Sequence, residues 1–175
     1  MNMIASTVQI ALGVIFIQAA VGKLRRWHEF KGMLHAYELL PLWSEAFFAV
    51  CLIGAELLTG VALVTSWKAA FASVIGAAMF LLFAGAMAVN IRRGRTSIDC
   101  GCFQSIRQPL EWRLVVRNVV CAVAALVSAG VAEVVEGVDR WAYAVPGALA
   151  LFAIYLALNA VWALDESRRI AFRRA

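Results

Sequence analysis

The sequence predicts an all-α membrane protein: a polytopic bundle of five transmembrane helices forming one integral membrane domain over residues 1–175. Three observations carry that expectation. Hydrophobic residues make up 63% of the chain and charged residues 15%, with a mean hydropathy of +0.82. A soluble domain of this size must cover a large surface with polar side chains and cannot carry that balance. The apolar residues run in long blocks rather than at helical or strand spacing, as lipid-bathed helices do when each must satisfy its own backbone. Finally, Trp27, Trp43, Trp67, Trp112, Trp141 and Trp162 all fall within a few residues of a block boundary, where an indole sits at the headgroup level.

The blocks cover approximately 3–22, 42–66, 69–90, 114–134 and 141–164. Each is about 20–25 residues, enough to cross roughly 30 Å of hydrocarbon at about 1.5 Å per residue. No Lys or Arg precedes Lys23, so the first block lacks the basic region of a signal peptide and reads as a span. After it, Trp27, Phe30, Leu34 and Tyr37 recur at helical spacing with charged residues elsewhere around the wheel, which predicts an amphipathic interfacial helix ended by Leu39-Leu40-Pro41. Only Trp67 and Lys68 separate the second and third blocks, making these spans antiparallel neighbours. Small residues let helices approach closely inside lipid. The third block supplies the pairs Ala72/Gly76 and Ser73/Ala77, the second Gly54 and Gly60, and the fifth Gly147. Pro146 lies one turn into the fifth block, where it kinks the helix or defines its first turn.

Charge predicts orientation. Five spans alternate the hydrophilic segments between two sides. One side collects Lys23, Arg25, Arg26, Lys31, Arg92, Arg93, Arg95, Arg107, Arg113, Arg117, Arg168, Arg169, Arg173 and Arg174, and the other only Lys68 and Arg140. The positive-inside rule puts the N-terminus outside and the C-terminus inside. The formal charge of +5 is thereby explained by topology and anionic headgroups, and nucleic acid is not an expected partner; the lipid bilayer is.

Candidate chemistry centres on the loop after the third block, Asp99-Cys100-Gly101-Cys102-Phe103. Two thiols flanking a glycine can close a small, strained and easily reduced disulfide ring, suited to thiol–disulfide exchange. Arg92, Arg93, Arg95 and Arg107 favour thiolate there, and Asp99 opposes them. A pair of thiols without redox work is the alternative. No neighbouring Cys/His cluster completes a zinc set, so no metal is expected. Cys51 and Cys121 fall at similar depths in the second and fourth blocks, where they form a membrane-embedded relay or act as small buried hydrophobes. Glu56, near the middle of the second block, must face the bundle interior and find a partner, with Thr59 and Asn90 as candidates. It is either a proton or quinone handle or one half of a structural hydrogen bond. Arg117-Asn118 opens the fourth block as a snorkelling anchor or the partner of a buried carboxyl. No P-loop, GxGxxG, GxSxG or HExxH motif is present, which leaves nucleotide and hydrolase chemistry without a basis.

Taken in order, Gly22-Lys23-Leu24, Leu39-Leu40-Pro41, Gly54-Ala55-Glu56-Leu57-Leu58-Thr59-Gly60, Asp99-Cys100-Gly101-Cys102-Phe103 and Arg117-Asn118 resemble the methylamine utilisation protein MauE family, within the broader DoxX-like membrane proteins. Where that family often has Gly after the Phe, this chain has Gln104. The resemblance implies a four-helix thiol-oxidoreductase-like core plus a C-terminal span in a bacterial inner membrane. It also implies a role in maturing or exporting the disulfide-rich light subunit of methylamine dehydrogenase, a periplasmic enzyme, beside a periplasmic thioredoxin-like partner. The similar thiol oxidoreductases pass electrons to quinone, which makes quinone the one cofactor to consider, by analogy. A non-catalytic assembly scaffold and, behind it, a small transporter are the alternative functions. The implied role wants the thiols in the periplasm while the arginines put them in the cytoplasm. Either electrons cross the membrane, through Cys51 and Cys121, or the loop lies opposite to its charge.

Overall fold

The computed structural model describes residues 2–39, 41–96, 110–131 and 138–174. These form six helices: α1 (Asn2–Arg25), α2 (Trp27–Tyr37), α3 (Glu45–Thr65), α4 (Ala69–Arg92), α5 (Trp112–Gly130) and α6 (Val138–Arg174), with a single 3-10 turn, Leu42–Ser44, leading into α3. No strand occurs among the described residues. Five stretches are long and apolar enough to cross a membrane: Met3–Arg25, Leu42–Thr65, Ala69–Arg92, Trp112–Gly130 and Ala144–Trp162. They match the five expected blocks.

The largest differences are at the end of α5 and in α6, and α1 also runs on to Arg25, past the expected 22. α5 stops at Gly130, a poor helix former, short of the expected 134. α6 starts before its apolar block and runs on to Arg174, because hydropathy marks the part of a helix that suits lipid, and a charged run with good helix formers simply continues it. Pro146 consequently lies well inside α6 rather than in its first turn.

α1 is the hub. It packs against α3, α5 and α6, and half of its apolar stretch is buried, against 17% for that of α6, which lies outermost. At the α1–α3 crossing, Gly13 and Gly60 let the backbones touch: a Cβ on Gly60 would stand 2.9 Å from the Gly13 carbonyl oxygen, and one on Gly13 would stand 2.8 Å from that of Gly60. Beside this crossing Phe16 of α1 stacks on Phe80 of α4 at 4.6 Å between centroids, over Gly76. α4 and α5 pair along their length, with Ala72, Ser73, Gly76 and Ala77 buried as expected. Gly147 receives Thr7 of α1, whereas Gly54 has open space where a Cβ would lie and mediates no close approach.

α2 confirms the amphipathic reading. Phe30, Leu34 and Tyr37 are buried, while Arg26, His28 and Glu29 are exposed. Phe30 and Leu34 pack on Ala20, Ala49 and Ile53, and Tyr37 joins Met87, Leu110 and Leu114. The helix ends at Glu38, which takes a left-handed conformation (φ 46°) and donates its backbone N–H to the His35 carbonyl.

Candidate functional site

Glu56 is fully buried, and its partner is neither Thr59 nor Asn90. Lys23 of α1 donates to Glu56 Oε1 at 2.5 Å, with 4% and 0% of the two side chains exposed. The Thr59 hydroxyl is directed to the Met79 sulfur at 3.9 Å, and Asn90 Nδ2 donates to the Ala86 carbonyl one turn back. An isolated charge at this depth would be prohibitive, so the pair is formed as a unit whose net charge is zero. Two aromatic faces lie near the ammonium: the Phe30 and Phe83 centroids are 5.7 and 5.4 Å from Nζ. Lys23 had been counted among the loop cations of the basic side. It instead lies in the last turn of α1 and turns inward.

Arg117 also turns inward. It is buried rather than a surface anchor: its guanidinium donates to Asn159 Oδ1 on α6 and lies 5.5 Å from the Tyr155 ring centroid. Asn118 is buried beside it and donates to the Leu114 carbonyl. Nearer the N-terminal end of α1, Gln9 donates to the Ser128 carbonyl at 3.3 Å, and Ser128 reaches Ser73 at 3.5 Å. The bundle therefore buries polar groups at several levels, each tied to a neighbouring helix or to its own backbone.

Cys100 and Cys102 lie outside the described residues. What is described is the neck of their loop. The Leu110 N–H donates to the Thr96 carbonyl at 3.0 Å, so the chain leaves α4 and re-enters toward α5 at one point. Leu110 is buried against Tyr37 and Met87. Arg95 reaches across to Glu38 at 2.6 Å, tying this end of α4 to the end of α2. That ion pair, chiefly through the Arg95 hydrogen bond, holds the Glu38 carboxyl below its ordinary value; the charges of Arg95, Arg93 and His35 add to the effect, and a slight loss of hydration opposes it. His35 Nδ1 sits 3.0 Å from Glu45 Oε1, a second tie between α2 and the start of α3.

The two intramembrane cysteines are in no disulfide and lie in different settings. Cys51 is exposed on α3, and Cys121, half-buried on α5, packs against the core around Phe16 and Phe80. No group of three or more His, Cys, Asp or Glu side chains suited to a metal ion occurs among the described residues. The residues that sequence reasoning missed are Lys23 and the Tyr155/Asn159 pair. Lys23 carried a signal: it follows an apolar block with no proline between them. Asn159 carried one too: it is the one amide or charged side chain in the fifth apolar block.

Comparison with known proteins adds to this geometry. The sequence profile described as "Methylamine utilisation protein MauE" matches residues 1–131. The chain is 41% identical over 125 residues to the methylamine utilization protein MauE of Paracoccus denitrificans, covering 71% of this chain and 67% of that one. It is 38% identical over 123 residues to the protein of that name from Methylorubrum extorquens, covering 70% and 66%. Against that of Methylophilus methylotrophus it is 40% identical over 106 residues, covering 61% and 54%. The match thus spans about two thirds or less of these relatives' own length. No solved structure gives a significant match.

Proposed function

The chain belongs to the methylamine utilisation protein MauE family, and from that membership we propose that it is a multi-pass protein of the bacterial inner membrane that exchanges disulfides through Cys100 and Cys102. Its client is a disulfide-rich periplasmic enzyme subunit, the light subunit of methylamine dehydrogenase, reached through a thioredoxin-like protein. The observation that carries this reading is the Cys-Gly-Cys pair in the segment between Thr96 and Leu110, whose ends are pinned together by a 3.0 Å backbone hydrogen bond.

The exchange balances simply. A thiolate of the partner attacks the Cys100–Cys102 disulfide and forms a mixed disulfide, releasing one of the two cysteines as thiolate. The partner's second thiol resolves the adduct. The partner leaves oxidised, and Cys100 and Cys102 remain as a dithiol carrying two electrons and two protons for an acceptor. Arginines 92, 93 and 95 flank the segment and favour the thiolate forms on which each step depends.

The test is adduct trapping in cells making the methylamine dehydrogenase subunits. Cys100→Ser or Cys102→Ser should abolish client maturation, and one of the two should accumulate a partner adduct that a reductant releases. Normal maturation with Cys100→Ser/Cys102→Ser together would overturn the redox reading and leave a non-catalytic scaffold in its place.

A further inference from the structure

We propose that the cavity beneath α2 is a binding site for a membrane-dissolved quinone, with Lys23 donating a hydrogen bond to a ring carbonyl. The cavity has a volume of about 450 Å³ and lies between α2, α3 and α4, within the size range of small-molecule sites. Its walls are almost wholly apolar, and Lys23 is the one charged residue lining it among the described residues.

Four features select the ligand. An ammonium has three N–H donors, and the bond to Glu56 Oε1 uses one of them. Glu56 also cancels the charge of Lys23, so the site suits a neutral acceptor such as a carbonyl better than an anionic headgroup. Phe83, half-buried on the cavity wall with its ring centroid 5.4 Å from Nζ, favours a flat conjugated ring beside the ammonium over an acyl ester. The rim residues Leu39, Leu82 and Val89 are 42%, 51% and 39% exposed, so the cavity opens sideways on an apolar surface. A ligand with an isoprenoid tail would enter there from the bilayer.

The assignment deepens the thiol-exchange reading and rests on it for its purpose, though not for binding. Met87, which lines the cavity, packs in one cluster with Leu110 at the neck of the cysteine loop. The Cys100/Cys102 dithiol and a quinone would yield the disulfide and a quinol, two electrons and two protons passing from sulfur to the carbonyl oxygens. The Lys23–Glu56 pair would hold a proton where one of those oxygens forms.

Binding is measured on the full chain in nanodiscs of phosphatidylethanolamine and phosphatidylglycerol, with a short-tailed azido-ubiquinone photolabel and decylubiquinone as competitor. Label should map to α2 and to 82–89 of α4 in the wild type. Gly85→Phe fills the cavity, since a Cβ there meets open space, and should weaken labelling by about tenfold or more. Lys23→Met/Glu56→Leu removes the donor together with its counter-charge and should weaken it by about tenfold, the worth of one good hydrogen bond. Cys100→Ser/Cys102→Ser should label as the wild type does, so loss of client maturation and loss of quinone binding are separable. Labelling that survives both cavity variants, in protein shown by circular dichroism to be folded, would overturn the proposal. Equal displacement by a palmitoyl ester without a quinone ring would overturn it too.

Discussion

Lys23 and Glu56, on two antiparallel helices, meet at 2.5 Å although they are staggered in depth. Measured from the Gly13–Gly60 crossing, Lys23 is ten residues along α1 and Glu56 four residues back along α3. At about 1.5 Å per residue the two Cα atoms differ by roughly 9 Å in depth. The long lysine stem spans most of that gap by reaching into the bundle, the reverse of the usual snorkelling direction.

The first expectation concerns that pair. Lys23→Met or Glu56→Leu alone leaves one charge buried without the other and should lower stability by about 3–5 kcal/mol. The double variant should recover most of the loss. Glu111→Leu, whose partly exposed carboxylate lies 3.8 Å from Arg113, should cost about 1 kcal/mol or less. Thermal unfolding in detergent, followed by thiol accessibility or circular dichroism, reads all four. Additive losses in the double variant would mean the two residues do not act as a unit.

A second expectation follows from the α1–α3 crossing. Gly60→Leu must place a Cβ 2.7 Å from Ile17 Cγ1 and 2.9 Å from the Gly13 carbonyl, so the helices have to part, and accumulation in the membrane should fall severalfold. Gly54→Ala meets open space and should leave yield unchanged or raise it. The comparison needs only membrane fractions and an epitope tag.

Acid should loosen the tie between α2 and α4. The folded-state pKa of Glu38 is depressed by Arg95, so its stabilising contribution is complete above the unfolded value, near 4.5, and is lost as pH falls through the lower folded value. Hydrogen exchange at the C-terminal end of α2 should therefore accelerate below about pH 4.5 in the wild type. Glu38→Gln should show faster exchange already at neutral pH, with that acid-dependent step removed. Identical profiles for the two would exclude the ion pair as the tie.

Among the cysteines, Cys51→Ala and Cys121→Ala should be mild in client maturation beside Cys100→Ser and Cys102→Ser if the loop faces the periplasm; if it faces the cytoplasm, electrons must cross the membrane and all four changes should be severe. Cys51 is exposed on α3, and Cys121 packs half-buried against the core around Phe16 and Phe80. A severe defect in either would restore the relay.

Orientation is tested by labelling Cys100 in intact cells with a membrane-impermeant thiol reagent. With Lys23 and Arg117 withdrawn into the bundle, twelve Lys and Arg residues still face two. Charge alone therefore predicts no labelling until the membrane is opened, and activity of a reporter fused after Ala175 only if it works in the cytoplasm, whereas direct exchange with a periplasmic partner requires Cys100 to label in intact cells. Labelling from outside would place the loop against its charge.

The spans were legible because lipid imposes one simple demand: enough consecutive apolar residues to cover its thickness. The amphipathic helix was legible from four side chains at helical spacing, Trp27 to Tyr37. The partner of Glu56 was not, since depth in a helix can be read from sequence and rotation about its axis only weakly. Thr59 and Asn90 lay at plausible depths, yet each is turned to other atoms. Lys23 was misread for a related reason: a cation just past an apolar block looks like a headgroup contact unless the reach of its side chain is considered in both directions. Arg117 and Asn159, 42 residues apart, share no spacing rule. The Cys-Gly-Cys motif was legible as chemistry, and its surroundings beyond the neck were not.

The buried pair also bears on how the protein is made. α1 leaves the ribosome before α3, and α3 carries a carboxyl group that costs a few kcal/mol at mid-bilayer. A first helix already resident in the membrane offers the arriving one an ammonium to meet, so the third helix need not be stable in lipid by itself. On that reasoning Lys23 would serve as a docking signal during biogenesis, with helices one and three pairing early. Shortening the nascent chain to residues 1–66 should keep that hairpin in the membrane, and Lys23→Met in the same fragment should shift it toward degradation.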